Sequence, residues 1–99
     1  HEGLNISAPL GSPVAAASHG KVIYVGNELE GYGNLVIVKH DDNLMTAYAH
    51  AKEILVKRGA KVRKGQSIAT VGKSGNVKSP QLHFSVRRGK KTINPESKA

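Results

Sequence analysis

Histidines stand at positions 1, 19, 40, 50 and 83, and there is no cysteine. Any metal bound by this chain must therefore be held by imidazole, carboxylate or amide oxygen. His83 lies in Gln81-Leu82-His83-Phe84-Ser85-Val86-Arg87, whose alternation reads as a β-strand. Gln81, His83, Ser85 and Arg87 then share one face, and Leu82, Phe84 and Val86 share the other as candidate core. His1 and Asn5 flank a glycine at a spacing that brings both side chains to one point if the chain is extended or turned there. His50 closes Tyr48-Ala49-His50. Convergence of these residues would make a site for metal binding, proton transfer or a partner. His19 and His40 sit at a turn and at a hairpin end without patterned neighbours, and read as surface or hydrogen-bonded structural residues.

The elements that must position these side chains are short strands. Gly20 to Gly26 is rich in β-branched residues and bounded by glycine, which argues strand. Asn34 to His40 and Leu44 to His50 flank Asp41-Asp42-Asn43, a three-residue connection of turn formers and the strongest hairpin signal in the chain. Leu35 to Val38 is apolar throughout, as expected of a central strand covered on both faces. Further short strands are expected at Val14 to Ala17 and Ser67 to Val71. Ala51 to Leu55 is the sole helical candidate, a single turn. Gly31-Tyr32-Gly33-Asn34 offers a positive φ and a close backbone approach at either glycine. Gly72 to Pro80 reads as a flexible loop. The fold class is all-β, a small antiparallel β-sandwich or barrel-sandwich with little or no helix.

Ninety-nine residues fit a single domain, here 1–99. No apolar run approaches the roughly 20 residues needed to cross a bilayer as a helix. The stretch opens in mid-motif and carries no signal peptide, so it is expected to be the C-terminal part of a longer parent that holds the targeting signal. Fifteen Lys and Arg against seven Asp and Glu give a formal charge of +8, which favours acidic partners. The few aromatics and the lack of a recognition-helix pattern argue against nucleic acid.

Taken in order, several motifs together resemble the LytM or lysostaphin-type zinc peptidase domain. They are the opening His1-Glu2-Gly3-Leu4-Asn5, Ala8-Pro9 with Gly11, Gly31-Tyr32-Gly33-Asn34, Tyr48-Ala49-His50, the Val56 to Gln66 turn pattern, Gly72-Lys73-Ser74-Gly75, Leu82-His83-Phe84, Arg87 and Asn94-Pro95. Members of that family cut peptide bonds in bacterial peptidoglycan. The resemblance implies zinc held by a first histidine, an aspartate four residues later and the second histidine of a His-x-His pair. The first histidine of that pair and the histidine after Tyr-Ala act on the water and the transition state. By position, His1 and His83 match two ligands and His50 matches a catalytic histidine. Asn5 stands where the aspartate is expected, and Gln81 where the first histidine of the pair is expected.

Both departures oppose hydrolysis. An amide oxygen is a neutral, poorer donor than carboxylate, which would leave His1 and His83 as ligands with Asn5 a weak third, and zinc at low occupancy. Gln81 carries no titratable proton and cannot be a general base, a loss worth about 100- to 10,000-fold in rate. The same two departures resemble the degenerate NlpD- and EnvC-like branch, whose LytM domains switch on peptidoglycan amidases during daughter-cell separation. The reading is a non-catalytic amidase activator of the bacterial envelope, located in the periplasm, with a lipoprotein as the expected form of the full-length parent. Its binding groove would be built from His1, Asn5, Tyr32, His50, Gln81 and His83, with peptidoglycan as a second ligand. The alternative is a weak zinc endopeptidase. A biotinyl or lipoyl carrier shares the glycine-turn features of Val56 to Ala69 but needs a lysine at a hairpin tip, where this chain has Asp41-Asp42-Asn43.

Overall fold

A computed structural model describes residues 3–75, 77–88 and 91–93 of the chain, the last three and residue 42 by backbone only. Its strands are β1 (Leu4–Ser7), β2 (Pro13–Ala15), β3 (Gly20–Gly26), β4 (Asn34–Lys39), β5 (Leu44–Ile54), β6 (Lys61–Val62), β7 (Ser67–Val71), β8 (Gln81–Arg88) and β9 (Lys91–Ile93). Every strand pair is antiparallel. The main path runs β1-β8-β5-β4-β3-β6, with β9 on the far side of β8.

The long strand β5 joins two layers. Its first half, to Ala49, pairs with β4 and β8, whereas Ala51 and Ile54 pair with β7, which in turn carries β2. The core is shared between Val22, Val36, Val38 and Tyr48 of the first layer and Val14, Ile68, Ala69 and Val71 of the second. That is the antiparallel sandwich expected from the sequence. Strand β4 is central: Leu35, Val36 and Val38 are buried and Ile37 is half-buried. In β8, Leu82 and Phe84 pack against the core from partly buried positions, and Phe84 meets the Tyr48 ring at 5.5 Å between centroids.

One local expectation is corrected and one is given its detailed form. The helical turn at Ala51 to Leu55 is instead strand through Ile54, because Ala51 is paired with both Asn34 and Val71, and Ile54 with Ala69. Pairing on two sides outweighs the weak helical preference of so short a run. The Asp41–Asn43 connection is a 3-10 turn that places Asn43 at φ 60°, a region asparagine tolerates.

Buried Tyr48, Thr46 and His40 form a continuous polar chain whose two ends reach the backbone of exposed Ala17 and His19. The Ala17 N–H donates to the Tyr48 hydroxyl at 3.0 Å, Tyr48 meets Thr46 Oγ1 at 2.7 Å, and Thr46 meets His40 Nε2 at 2.8 Å. His40 Nδ1 contacts the His19 carbonyl at 2.6 Å. A carbonyl only accepts, so Nδ1 donates to it, and Nε2 is paired with the Thr46 hydroxyl. His40 is thus a hydrogen-bonded structural residue. Burial pushes the Tyr48 phenol above its usual value, partly offset by its hydrogen bonds with Thr46 and Ala17. His19 is exposed and lies 3.4 Å from Asp41.

Candidate functional site

The site is laid out by strand register. Asn5 on β1, His83 on β8 and Ala49 on β5 are cross-strand partners in one row, so their side chains project from the same face. Asn5 Oδ1 lies 2.6 Å from His83 Nδ1. An amide oxygen only accepts, so Nδ1 carries the proton of this bond. Two donors on one tetrahedral zinc, each at about 2.0–2.1 Å from the metal, stand about 3.3 Å apart. The Asn5–His83 pair is therefore closed around a proton. The chain enters β1 close over this pair: at Gly3, φ is 116° and a Cβ would fall 3.2 Å from His83 Nε2 and 2.5 Å from the Phe84 carbonyl oxygen.

His50 reaches the site from a bulge in β5. Val36 faces Tyr48 and Asn34 faces Ala51, so β5 carries one extra residue there, and His50 adopts φ 69°. A bulge with one residue in the left-handed region bends the strand and re-aims its side chain. Two hydrogen bonds hold this strained backbone: His50 N–H donates to the Tyr32 carbonyl at 2.8 Å, and His50 Nδ1 contacts the Ser74 carbonyl at 2.8 Å. The second bond places the proton on Nδ1. The His50 and His83 rings stand 6.2 Å apart edge to face, and Tyr32 is 6.2 Å from His83.

Two glycine motifs make a clasp behind His50. Ser74 Oγ accepts from the Asn34 N–H at 3.0 Å and donates to the Ala51 carbonyl at 2.7 Å. The Asn34 amide donates to the same carbonyl at 2.9 Å. Gly33, at φ 65°, has no room for a Cβ against Ser74, and a Cβ at Gly75 would fall 2.6 Å from the Gly33 nitrogen. The close approach expected at Gly31-Tyr32-Gly33-Asn34 is present at Gly33. The loop read as flexible from Gly72 is tied down at Ser74.

Of the expected groove residues, Asn5, Tyr32, His50 and His83 come together. Gln81 lies two residues along β8, opposite Ser7, with its amide directed to the Ser79 carbonyl at 3.4 Å. His1 falls outside the described residues. Among those residues, no three of His, Asp and Glu gather as a metal-binding group. Sequence reasoning missed Ser74 and Asn34 as the clasp, although each is flanked by glycine in a motif already singled out. It also missed an apolar groove of about 170 Å³ beside the site, where Leu29, Tyr32, Leu35, Ile37 and Met45 form much of the wall. Its outward signal is the exposure of Leu29 and Tyr32.

Residues 1–95 match the sequence pattern of Peptidase family M23. The chain belongs to peptidase family M23. Among M23 relatives, it is 50% identical over 95 residues to the uncharacterized lipoprotein YgeR of Escherichia coli, covering 96% of this chain and 38% of that protein. It is 43% identical over 95 residues to the murein hydrolase activator NlpD of Escherichia coli, covering 96% of this chain and 25% of that protein. The chain thus spans well under half the length of these relatives. Solved M23 structures share the fold. The catalytic domain of the prophage-encoded protein EnpA from Enterococcus faecalis superposes with a TM-score of 0.91 at 36% identity, covering 98% of this chain and 77% of that one. The catalytic domain of lysostaphin from Staphylococcus simulans gives 0.90 at 30% identity, covering 97% and 76%.

Proposed function

We propose that this M23 domain is a non-catalytic activator of a peptidoglycan amidase, acting in cell-wall remodelling and daughter-cell separation. The observation that carries this reading is the Asn5–His83 hydrogen bond at 2.6 Å. It ties up a candidate ligand nitrogen with a neutral amide at the position where the resemblance calls for a carboxylate. Gln81 cannot take a proton from water. With a neutral amide oxygen in place of a carboxylate, His1, Asn5 and His83 make a weaker ligand set than a hydrolytic zinc calls for, since such a metal takes three good protein ligands and an open position. The former catalytic face then serves recognition, with His1, Asn5, Tyr32, His50, Gln81 and His83 as its polar part and the apolar groove beside it. Peptidoglycan is a second ligand of the same face.

The name of the NlpD relative, a murein hydrolase activator, supports the role, and the lipoprotein names of relatives support an envelope location. On this reading residues 1–99 are one domain of a longer periplasmic lipoprotein. The alternative, a weak zinc endopeptidase, draws on His50 and His83, whose rings remain 6.2 Å apart. Metal analysis of protein purified without added zinc, joined to a peptidoglycan digestion, separates the two. The activator reading expects far less than one zinc per chain and no released muropeptides. Near-stoichiometric zinc with released muropeptides overturns it.

A further inference from the structure

The outer face of the sheet carries a row of charge that the site does not use. Lys61 on β6 faces Lys21 on β3, Lys21 faces Lys39 on β4, Lys39 faces Met45 on β5, and Met45 faces Arg87 on β8. Cross-strand partners share a face, so four cations stand in one line over five strands, about 19 Å long at the usual strand spacing. All four are exposed. Among the described residues the one ion pair is His19 with Asp41, so none of the four is neutralised by a carboxylate there. Like charges placed directly opposite destabilise a sheet. Lysines that guard a sheet edge against unwanted pairing would account for Lys61, but β3 and β4 lie inside the sheet.

This row is continuous with the apolar groove. Lys21, Lys39, Lys61 and Arg63 outnumber the single carboxylate, Asp41, around an open trough of about 470 Å³ that Ile23, Val62 and His19 also line, and Ile23 lines the apolar groove as well. Met45 and Arg87 bring the row to the groove's other side. From the row to the Ala49–His83 level is four residues along β5, about 13 Å.

We infer that this face docks an acidic protein segment, its carboxylates on the Lys61–Lys21–Lys39–Arg87 row and its apolar side chains in the Ile23–Ile37–Met45 groove. Charge complementarity selects the carboxylates. The apolar floor selects a peptide over a phosphate surface, which would engage the cations and leave the groove unused. The inference does not rest on the partner being an amidase.

The test uses fluorescein-labelled synthetic peptides of alternating Glu and Leu or of alternating Glu and Ser, titrated by anisotropy, alongside vesicles of phosphatidylglycerol. The Glu-Leu peptide is expected to bind, to weaken as salt is raised, and to lose about tenfold in affinity on combined Lys21→Gln, Lys39→Gln and Lys61→Gln. The Glu-Ser peptide is expected to bind more weakly than Glu-Leu. These exposed changes remove like-charge neighbours, so the variant's melting temperature should hold or rise. Equal binding of Glu-Leu by variant and parent overturns the inference, as does equal binding of the two peptides. Lysine-dependent vesicle binding without peptide binding overturns it in favour of a membrane surface. Failure of the peptide arms leaves the amidase reading standing, since no amidase is present.

Discussion

Replacing Gly33 with alanine should cost far more than the same change at Gly59, although both glycines have positive φ, 65° and 93°. An alanine in the left-handed region costs about 1–2 kcal/mol at either place. At Gly59 nothing lies within 4 Å of the added Cβ, so the cost stops there. At Gly33 the Cβ would meet the Ser74 backbone and Oγ, and Ser74 must withdraw. It would then loosen its contacts with the Asn34 N–H, the Ala51 carbonyl and His50 Nδ1. Each such bond contributes about 0.5–1.5 kcal/mol, so Gly33→Ala should destabilise by about 2.5–6.5 kcal/mol. Urea unfolding of both variants gives the difference, and amide exchange at His50, whose N–H is bonded to Tyr32, gives a local readout. Equal destabilisation of the two variants, with His50 exchange unchanged in Gly33→Ala, would refute the clasp.

Other outcomes follow from the buried chain and the altered site. Tyr48→Phe removes the acceptor of the Ala17 N–H and a partner of Thr46, and should lower stability by about 1–3 kcal/mol in urea unfolding. Because the folded pKa of Tyr48 is raised from 10.0, its contribution is complete below that pH and is lost as pH rises through the folded value. The parent should therefore lose more stability above about pH 10 than Tyr48→Phe does, and parallel pH curves would contradict this. The double change Asn5→Asp and Gln81→His should restore zinc uptake, read by metal analysis after equilibration with zinc and removal of excess. A double variant that folds and still takes up no zinc would show that more than these two side chains has changed.

The sheet was legible because its signals are local. Glycine-bounded β-branched runs marked β3, the turn formers at Asp41-Asp42-Asn43 marked the β4–β5 hairpin, and the continuous apolar run of Leu35 to Val38 marked a strand with neighbours on both sides. The extension of β5 past His50 was not legible, since Ala51-Lys52-Glu53-Ile54 is held as strand by β7, a partner 13 or more residues away in sequence. The same holds for the clasp: Ser74 and Gly33 are far apart along the chain, and only the folded sheet places one against the other. Alternation put Gln81 and His83 on one face, but the Asn5–His83 pairing depends on β1 crossing to β8, a contact 78 residues apart in sequence. The lysine row carries no local signal. Its alignment emerges only from the register of β6, β3 and β4.

The most direct measurement of the account's central claim is the rate at which a purified peptidoglycan amidase from the same cell releases product from intact peptidoglycan, with and without this domain. The account predicts no release by the domain alone and a clear rise in amidase rate when it is added, reduced by substitutions of Tyr32 or Gln81 that leave the fold intact. No stimulation of any amidase of that cell would contradict it and leave a peptidoglycan-binding module as the better description.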